Sequence, residues 1–320
     1  MAVDYATYAT PRADLARAFM EYAPEGATFI ADAILPPVMV STKTGTYTKI
    51  TRESILKRAN AKRQMESGYN RISIVGEDAT WACEERGLEY PVGDDVRAMY
   101  KNDFDVDMIG VKHLRHKLLL EREYAVKSLI QATTYTSGGA TLYTDVSSAP
   151  WDAVDSDAIG HVADASEIIR TNSGVQPDTL VISRAVLANL LSNTALVARF
   201  PGAAAITQEL LMQNMAAVFG LTKLVVGNVV YDTTEEGVAS TLSDLWTDDY
   251  AFICKTANPG DPIDVPSVGR TFVWMEDSSI DLVYETYREE QIRSTIHRAR
   301  QHVDEVLIES QFGHLLKVDA

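Results

Sequence analysis

Any chemistry in this chain would begin with its clustered carboxylates and imidazoles. Asp103, Asp105 and Asp107 alternate like the first ligands of a calcium loop, but such a loop needs glycine at its sixth position and glutamate at its twelfth, and here those are Met108 and Leu114. His113 and His116 stand three apart, which would let both imidazoles share a metal on one side of a helix. Lys112, Arg115 and Lys117 surround them, and no third ligand is indicated. Glu121, Glu123 and Glu285 are scattered acids that read as solvated or paired charges. The signatures G-x-x-x-x-G-K-[ST], G-x-S-x-G and H-E-x-x-H are missing, so phosphate-cradling, acyl-transfer and zinc-hydrolase chemistry have no local support. No catalytic residue, metal or cofactor is expected, and a soluble hydrolase or metal enzyme ranks behind non-catalytic readings.

Composition narrows the classes further. Cys83 and Cys254 lie far apart without CxxC spacing, which argues against a zinc ribbon or a disulfide framework and for a reducing compartment. With 45 acidic against 29 basic side chains, the net charge of −16 opposes a surface built to grip phosphates broadly. The amino-terminal residues lack a basic region followed by an apolar run, and the most apolar later window, Met215 to Tyr231, is interrupted by Lys223 and Asn228. Neither secretion nor membrane insertion is signalled. The chain is 320 residues long and 46% hydrophobic, enough for two cores or one elongated one.

The element around which the rest is arranged is a long helix over 103–131. Phe104, Met108, Val111, Leu114, Leu118, Ala125 and Leu129 recur at helical spacings and form its expected buried stripe, leaving Lys112, Arg115, Arg122 and Lys127 largely outside it. The aspartates at its start and Lys127 near its end suit the helix dipole. At 1.5 Å per residue this spine would be about 40 Å long. Gly110 interrupts it, at a cost of about 1 kcal/mol relative to alanine, and marks a bend or a close backbone contact.

Before the spine, Asp14 to Tyr22 is a short amphipathic segment in an arm that Pro36 and Pro37 end. Thr44 to Ile50 reads as a strand leaving the body, and Arg71 to Val75 and Thr80 to Glu85 as returning strands, giving a two-stranded excursion with arms of about 15 to 20 residues and a reach of roughly 50 to 60 Å. An isolated ribbon of that kind is marginal in water, so it is expected to lie on a neighbouring copy. Its charge is segregated. Lys43, Lys49, Arg52, Lys57, Arg58, Lys62, Arg63 and Arg71 face only Glu53 and Glu66, whereas Glu77, Asp78, Glu84, Glu85, Glu89, Asp94 and Asp95 face only Arg86. The tip residues Lys57, Arg58, Lys62 and Arg63 are assigned to an acidic surface on an adjacent subunit. After the spine, a helix over 152–169, a strand from Asp178, a helix capped by Ser183, a helix closed by Gly220 and strands from Leu224 and Asp249 alternate as a compact mixed unit at 151–258. Beyond the Asn258–Pro262 breaker the chain reads as strands.

Several of these segments, taken in order, resemble the major capsid proteins of tailed bacteriophages, with the Hong Kong 97-like coat fold. Thr44–Ile50 is similar to the opening of that family's extended loop, and Leu118–Ile130 to the end of its spine helix. Ile206–Leu211 with Phe219–Gly227 is similar to its central domain, Val265–Trp274 to its return strand, and Glu285–Ser294 and Phe312–Lys317 to its closing strands. The resemblance implies an α+β fold with an N-terminal arm (1–37), an extended two-stranded loop (38–93), a peripheral domain with the long spine helix (94–150), a central axial α/β domain (151–258) and a return of the peripheral domain (259–320). It also implies self-assembly as pentamers and hexamers into an icosahedral shell enclosing double-stranded DNA without sequence-specific binding, formed in the host cytoplasm and residing in the virion. Met1 stands close to the mature-like pattern, so a separate scaffolding protein or self-assembly is expected, together with a portal. An encapsulin-like compartment shell is the alternative.

Overall fold

The computed structural model describes residues 29–65, 68–101, 105–199, 208–234, 237, 239–275 and 282–319. A single helical turn, α1 (Ala31–Ile34), leads into β1 (Pro37–Val40). The excursion follows as β2 (Thr44–Ile50), α2 (Arg52–Leu56) and β3 (Gly76–Ala82). Next come β4 (Glu84–Gly93), α3 (Asp94–Tyr100) and the spine, α4 (Val106–Ile130). A mixed stretch runs through α5 (Thr133–Thr136), β5 (Tyr143–Asp145), α6 (Ala158–Ser173), β6 (Thr179–Ser183), α7 (Arg184–Ser192), α8 (Thr194–Val197) and α9 (Gln208–Val218). It continues with β7 (Lys223–Gly227), β8 (Val230–Asp232), β9 (Leu242–Asp244) and β10 (Tyr250–Cys254). The last strands are β11 (Gly269–Trp274), β12 (Val283–Glu289), β13 (Ser294–Leu307) and β14 (Gly313–Lys317).

Two five-stranded sheets organise these elements. The first has the order β1-β11-β13-β12, with β4 along the other side of β13. The 14-residue β13 is its common member: Ser294 to Val303 pair with Gly93 back to Glu84, while Val303 to Leu307 pair with Val273 back to Gly269. The second sheet has the order β5-β14-β10-β6-β7. Both of its faces are covered, which is why β6, TLVIS, is buried at every position instead of alternating. Leu180, Ile182, Ala251 and Ile253 join Val162 and Ile169 of α6 in one core. Val181 and Phe252, pointing the other way, join Ile34, Leu35 and the spine residues Val126 and Ile130 in another.

Local chemistry sets the helix ends. Asp105 accepts from the amides of Asp107 and Met108 at the start of α4. Ser183 caps α7 through the amide of Val186, and Gly174 closes α6 in the left-handed region at φ 77°. The spine is continuous for 25 residues, about 37 Å, and its buried positions Val106, Gly110, Leu114, Leu118, Arg122, Val126 and Ile130 form an unbroken i+4 row. Four residues turn a helix by 400°, so this row drifts about 40° per step around the axis. The buried face therefore migrates. Leu114 and Leu118 meet Ala299 of the first sheet, whereas Val126 and Ile130 enter the core beneath the second.

The sequence-based boundaries need correction in several places. β1 and β4 were expected in the extended loop but are strands of the first sheet, because Pro37–Val40 pairs with β11 and Glu84–Gly93 with β13. The paired arms of the excursion are only 7 residues each, about 24 Å, and Arg71 to Val75 do not form a strand. β5 and β14 were expected with the peripheral unit but pair within the second sheet, β14 lying between β10 and β5. The helix expected over 152–169 begins at Ala158, where Asp157 caps it. The amphipathic segment 14–22 lies outside the described residues.

Candidate assembly site

The root of the excursion is fastened to its own chain. Trp81 stacks on Phe272 with ring centroids 5.2 Å apart and planes at 15°, and Tyr47 packs on Phe272 at 5.7 Å. The amide of Ala82 donates to Asp304 at 2.8 Å, and Lys49 pairs with Glu309 at 2.9 Å. Arg52 donates to the carbonyl of Asn172, at the end of α6, and to Gln311. The ribbon expected to lie on a neighbouring copy is held at its base in the same chain, because aromatic and charged partners for it are present there.

Beyond that base the loop is uncovered. Lys57, Arg58, Lys62 and Arg63 are all exposed, and the Arg63 guanidinium lies 4.6 Å above the ring of Tyr69. Lys57 and Arg58, with Lys49, Arg52 and Arg71, line an open cleft of about 660 Å³ in which Glu77 and Glu309 are the acidic members. Lys62 and Arg63 are not among its lining residues. Among the residues lining the cleft, Ile72 and Val75 are 78% and 56% exposed. Cations beside large exposed apolar side chains form a surface suited to an acidic protein partner.

The spine positions fall in different environments. Leu114 and Leu118 are buried, and Val111 and Leu129 are half-buried. Met108, expected in the core, is exposed, because it lies about 200° around the helix from Gly110, where the i+4 row runs. Phe104 lies outside the described residues. Gly110 is a close approach: a Cβ there would come within 2.4 Å of Cδ1 of Tyr90, a residue of β4.

Arg122, expected outside, is buried on the row, where Asp32 and Gln301 answer its guanidinium at 3.1 and 3.0 Å. Its neighbour Glu123 is fully buried and accepts from the amides of Ile30 and Ala31 and from the indole of Trp246, at 3.0, 2.8 and 2.7 Å. This joint ties α1, the spine and the β9–β10 connection together. Burial pushes the Glu123 carboxyl above its ordinary range, against the opposing pull of its three donors. Sequence reasoning read Glu123 as a surface charge; the signal for the joint is an adjacent Arg–Glu pair entering an apolar helical row.

The imidazoles and acids that raised the metal question are accounted for otherwise. His116 packs edge-on against Phe29 at 5.5 Å, and burial with the Lys117 charge lowers the pKa of both His113 and His116. No third ligand joins them among the described residues. Glu285 pairs with Arg300 at 2.9 Å. Asp248, Asp249 and Asp319 bring carboxylate oxygens within 4.8 Å of one another, but this is a partly exposed cluster without a built cation site. No helix among the described residues is long and apolar enough to cross a membrane.

A long helix crossing from one sheet to a second, helix-covered sheet, with a β excursion at the side, defines a capsid-fold subunit. A phage-related protein from Bordetella bronchiseptica RB50 has the same fold, with a TM-score of 0.66 at 19% identity, covering 92% of this chain and 94% of that one. So does the capsid structure of cyanophage P-SCSP1u, with a TM-score of 0.62 at 12% identity, covering 92% and 89%. In sequence the chain is similar to the major capsid protein of Burkholderia phage BcepMu, 25% identical over 277 residues that cover 84% of this chain and 86% of that protein. No protein-family profile matches. The chain is thus similar in sequence to a phage major capsid protein and shares its fold with solved phage capsid structures.

Proposed function

We infer that this protein is a major capsid protein, a structural subunit that assembles with copies of itself into the shell of a virion. The similarity to a phage major capsid protein over most of both chains carries the reading. An encapsulin-like compartment shell would be built on the same fold, so the fold alone does not choose between them, and the sequence similarity favours the phage. Pentamers and hexamers in an icosahedral arrangement around double-stranded DNA are the finer form of this reading, with a scaffolding protein and a portal as partners and assembly in the host cytoplasm. The net charge of −16 supports enclosure of DNA over tight, sequence-specific gripping.

Lys57, Arg58, Lys62 and Arg63 then serve contacts between subunits. Their exposure supports that role, and so does the repetition of any such contact at every boundary of a shell, where individually weak ion pairs recur. The test is expression followed by sedimentation and electron microscopy. Closed particles are expected; a protein that stays monomeric at high concentration across salt and scaffold conditions would refute the shell reading. Reversing Arg58, Lys62 and Arg63 together to glutamate should leave soluble protein that assembles slowly or wrongly, with a defect that depends on ionic strength.

A further inference from the structure

We propose that the cation-lined cleft of the loop docks on α3 of a second copy of this chain. The inference rests on the shell reading and names the surface that the loop meets. α3 is a seven-residue helix without a single buried residue. A helix that short is not stable in water by propensity, so a face that its own chain leaves open calls for cover from elsewhere. That face has two chemistries. Asp94 and Asp95 stand at its start, and Val96 and Met99 along it are 42% and 70% exposed. Asp94 is held by both terminal nitrogens of Arg288 at 2.7 Å, while Asp95 projects into solvent.

The cleft presents the complement, with Lys57, Arg58 and Arg71 beside the exposed Ile72 and Val75. Charge and apolar character therefore match together, which separates a protein partner from nucleic acid. The stacking surface near the tip, the ring of Tyr69, is also already covered by Arg63. Geometry excludes the same copy as the occupant. Lys49, in the cleft, bonds the carbonyl of Ile308, just past one end of β13. α3 begins at the other end, where Gly93 pairs with Ser294. The length of β13 puts roughly 45 Å between them.

Charge exchange tests the pairing. Arg58→Glu and Asp95→Arg, each alone, set like charges against each other, and at low salt each should cut the yield of closed shells by about tenfold, with partial recovery at high salt. The double variant restores opposite charges at every boundary and should return the yield to within about threefold of the unaltered protein. Met99→Asp should lower the yield with little dependence on salt. A double variant as impaired as the two singles, in a protein that otherwise assembles, overturns the docking and leaves the shell reading standing. Normal empty shells from Arg58→Glu with a loss of packaged DNA alone overturn it in favour of a nucleic-acid contact. Failure of the unaltered protein to form shells overturns both.

Discussion

Replacing Glu123 should loosen one joint of the subunit before it unfolds the whole. Its two oxygens serve three buried donors, the amides of Ile30 and Ala31 and the indole of Trp246. Glu123→Ala leaves all three short of an acceptor, and an orphaned buried donor costs about 1 to 3 kcal/mol. Relief of the buried charge, which no cation pairs with among the described residues, offsets part of this, leaving a net loss of roughly 2 to 4 kcal/mol. The loss falls on α1 and the Trp246 segment. Hydrogen exchange at the amides of Ile34 and Leu35, which bond back to Ile30 and Ala31, should therefore speed up by about a hundredfold, and the Trp246 emission should shift. Glu123→Gln should fall between the two, since one of its N–H groups must face a donor. The pH dependence has a definite sign. A folded pKa raised by burial gives a contribution fully present below the unfolded value of about 4.3 and lost as pH rises through the folded value. The advantage of the natural residue over Gln should accordingly narrow from pH 4 to pH 8. Unchanged protection of α1 in Glu123→Ala would show that the joint carries no weight.

Two further outcomes follow from packing and burial. Gly110→Ala gains about 1 kcal/mol of helix propensity but drives a methyl into the Tyr90 ring, an overpacking cost of about 1 to 3 kcal/mol, so a net destabilisation of about 1 kcal/mol is expected in urea unfolding. Tyr90→Ala in the same chain should reverse its sign. Burial pushes the Cys83 thiol up to about 11 and that of Cys254 higher still, so native protein at pH 8 should consume no thiol reagent and unfolded protein should consume two equivalents.

The spine was legible because its signals are local: apolar recurrence, aspartates at the start and a lysine at the end. Which residues it buries was only partly legible. A fixed stripe places Met108 inside and Arg122 outside, whereas a helix that crosses from one sheet to another must rotate its contact face along its length, and the i+4 row does this. The strand character of β13 and the buried run of β6 were likewise readable, but not their partners. Nothing near Gly313–Lys317 says that it enters the second sheet beside β10 instead of the first beside β12. The Glu123 joint was hidden for the same reason, since its donors come from residues about ninety positions before and more than a hundred after it.

The long pairing of β13 with β4 also bears on how the subunit is made. Gly93 meets Ser294, about two hundred residues further along, so at usual elongation rates of 5 to 20 residues per second β4 leaves the ribosome roughly 10 to 40 seconds before its partner. During that interval a ten-residue strand with free backbone edges sits among many nascent copies of itself, the situation in which wrong edge-to-edge pairing begins. Glu84, Glu85 and Glu89 make β4 strongly acidic, so two such strands repel each other, whereas β13 arrives carrying Arg298 and Arg300 and draws Glu89 to Arg298 at 2.7 Å. Like charge on β4 thus disfavours pairing between two copies of it until the arginine-bearing half of β13, Ser294 to Val303, is translated.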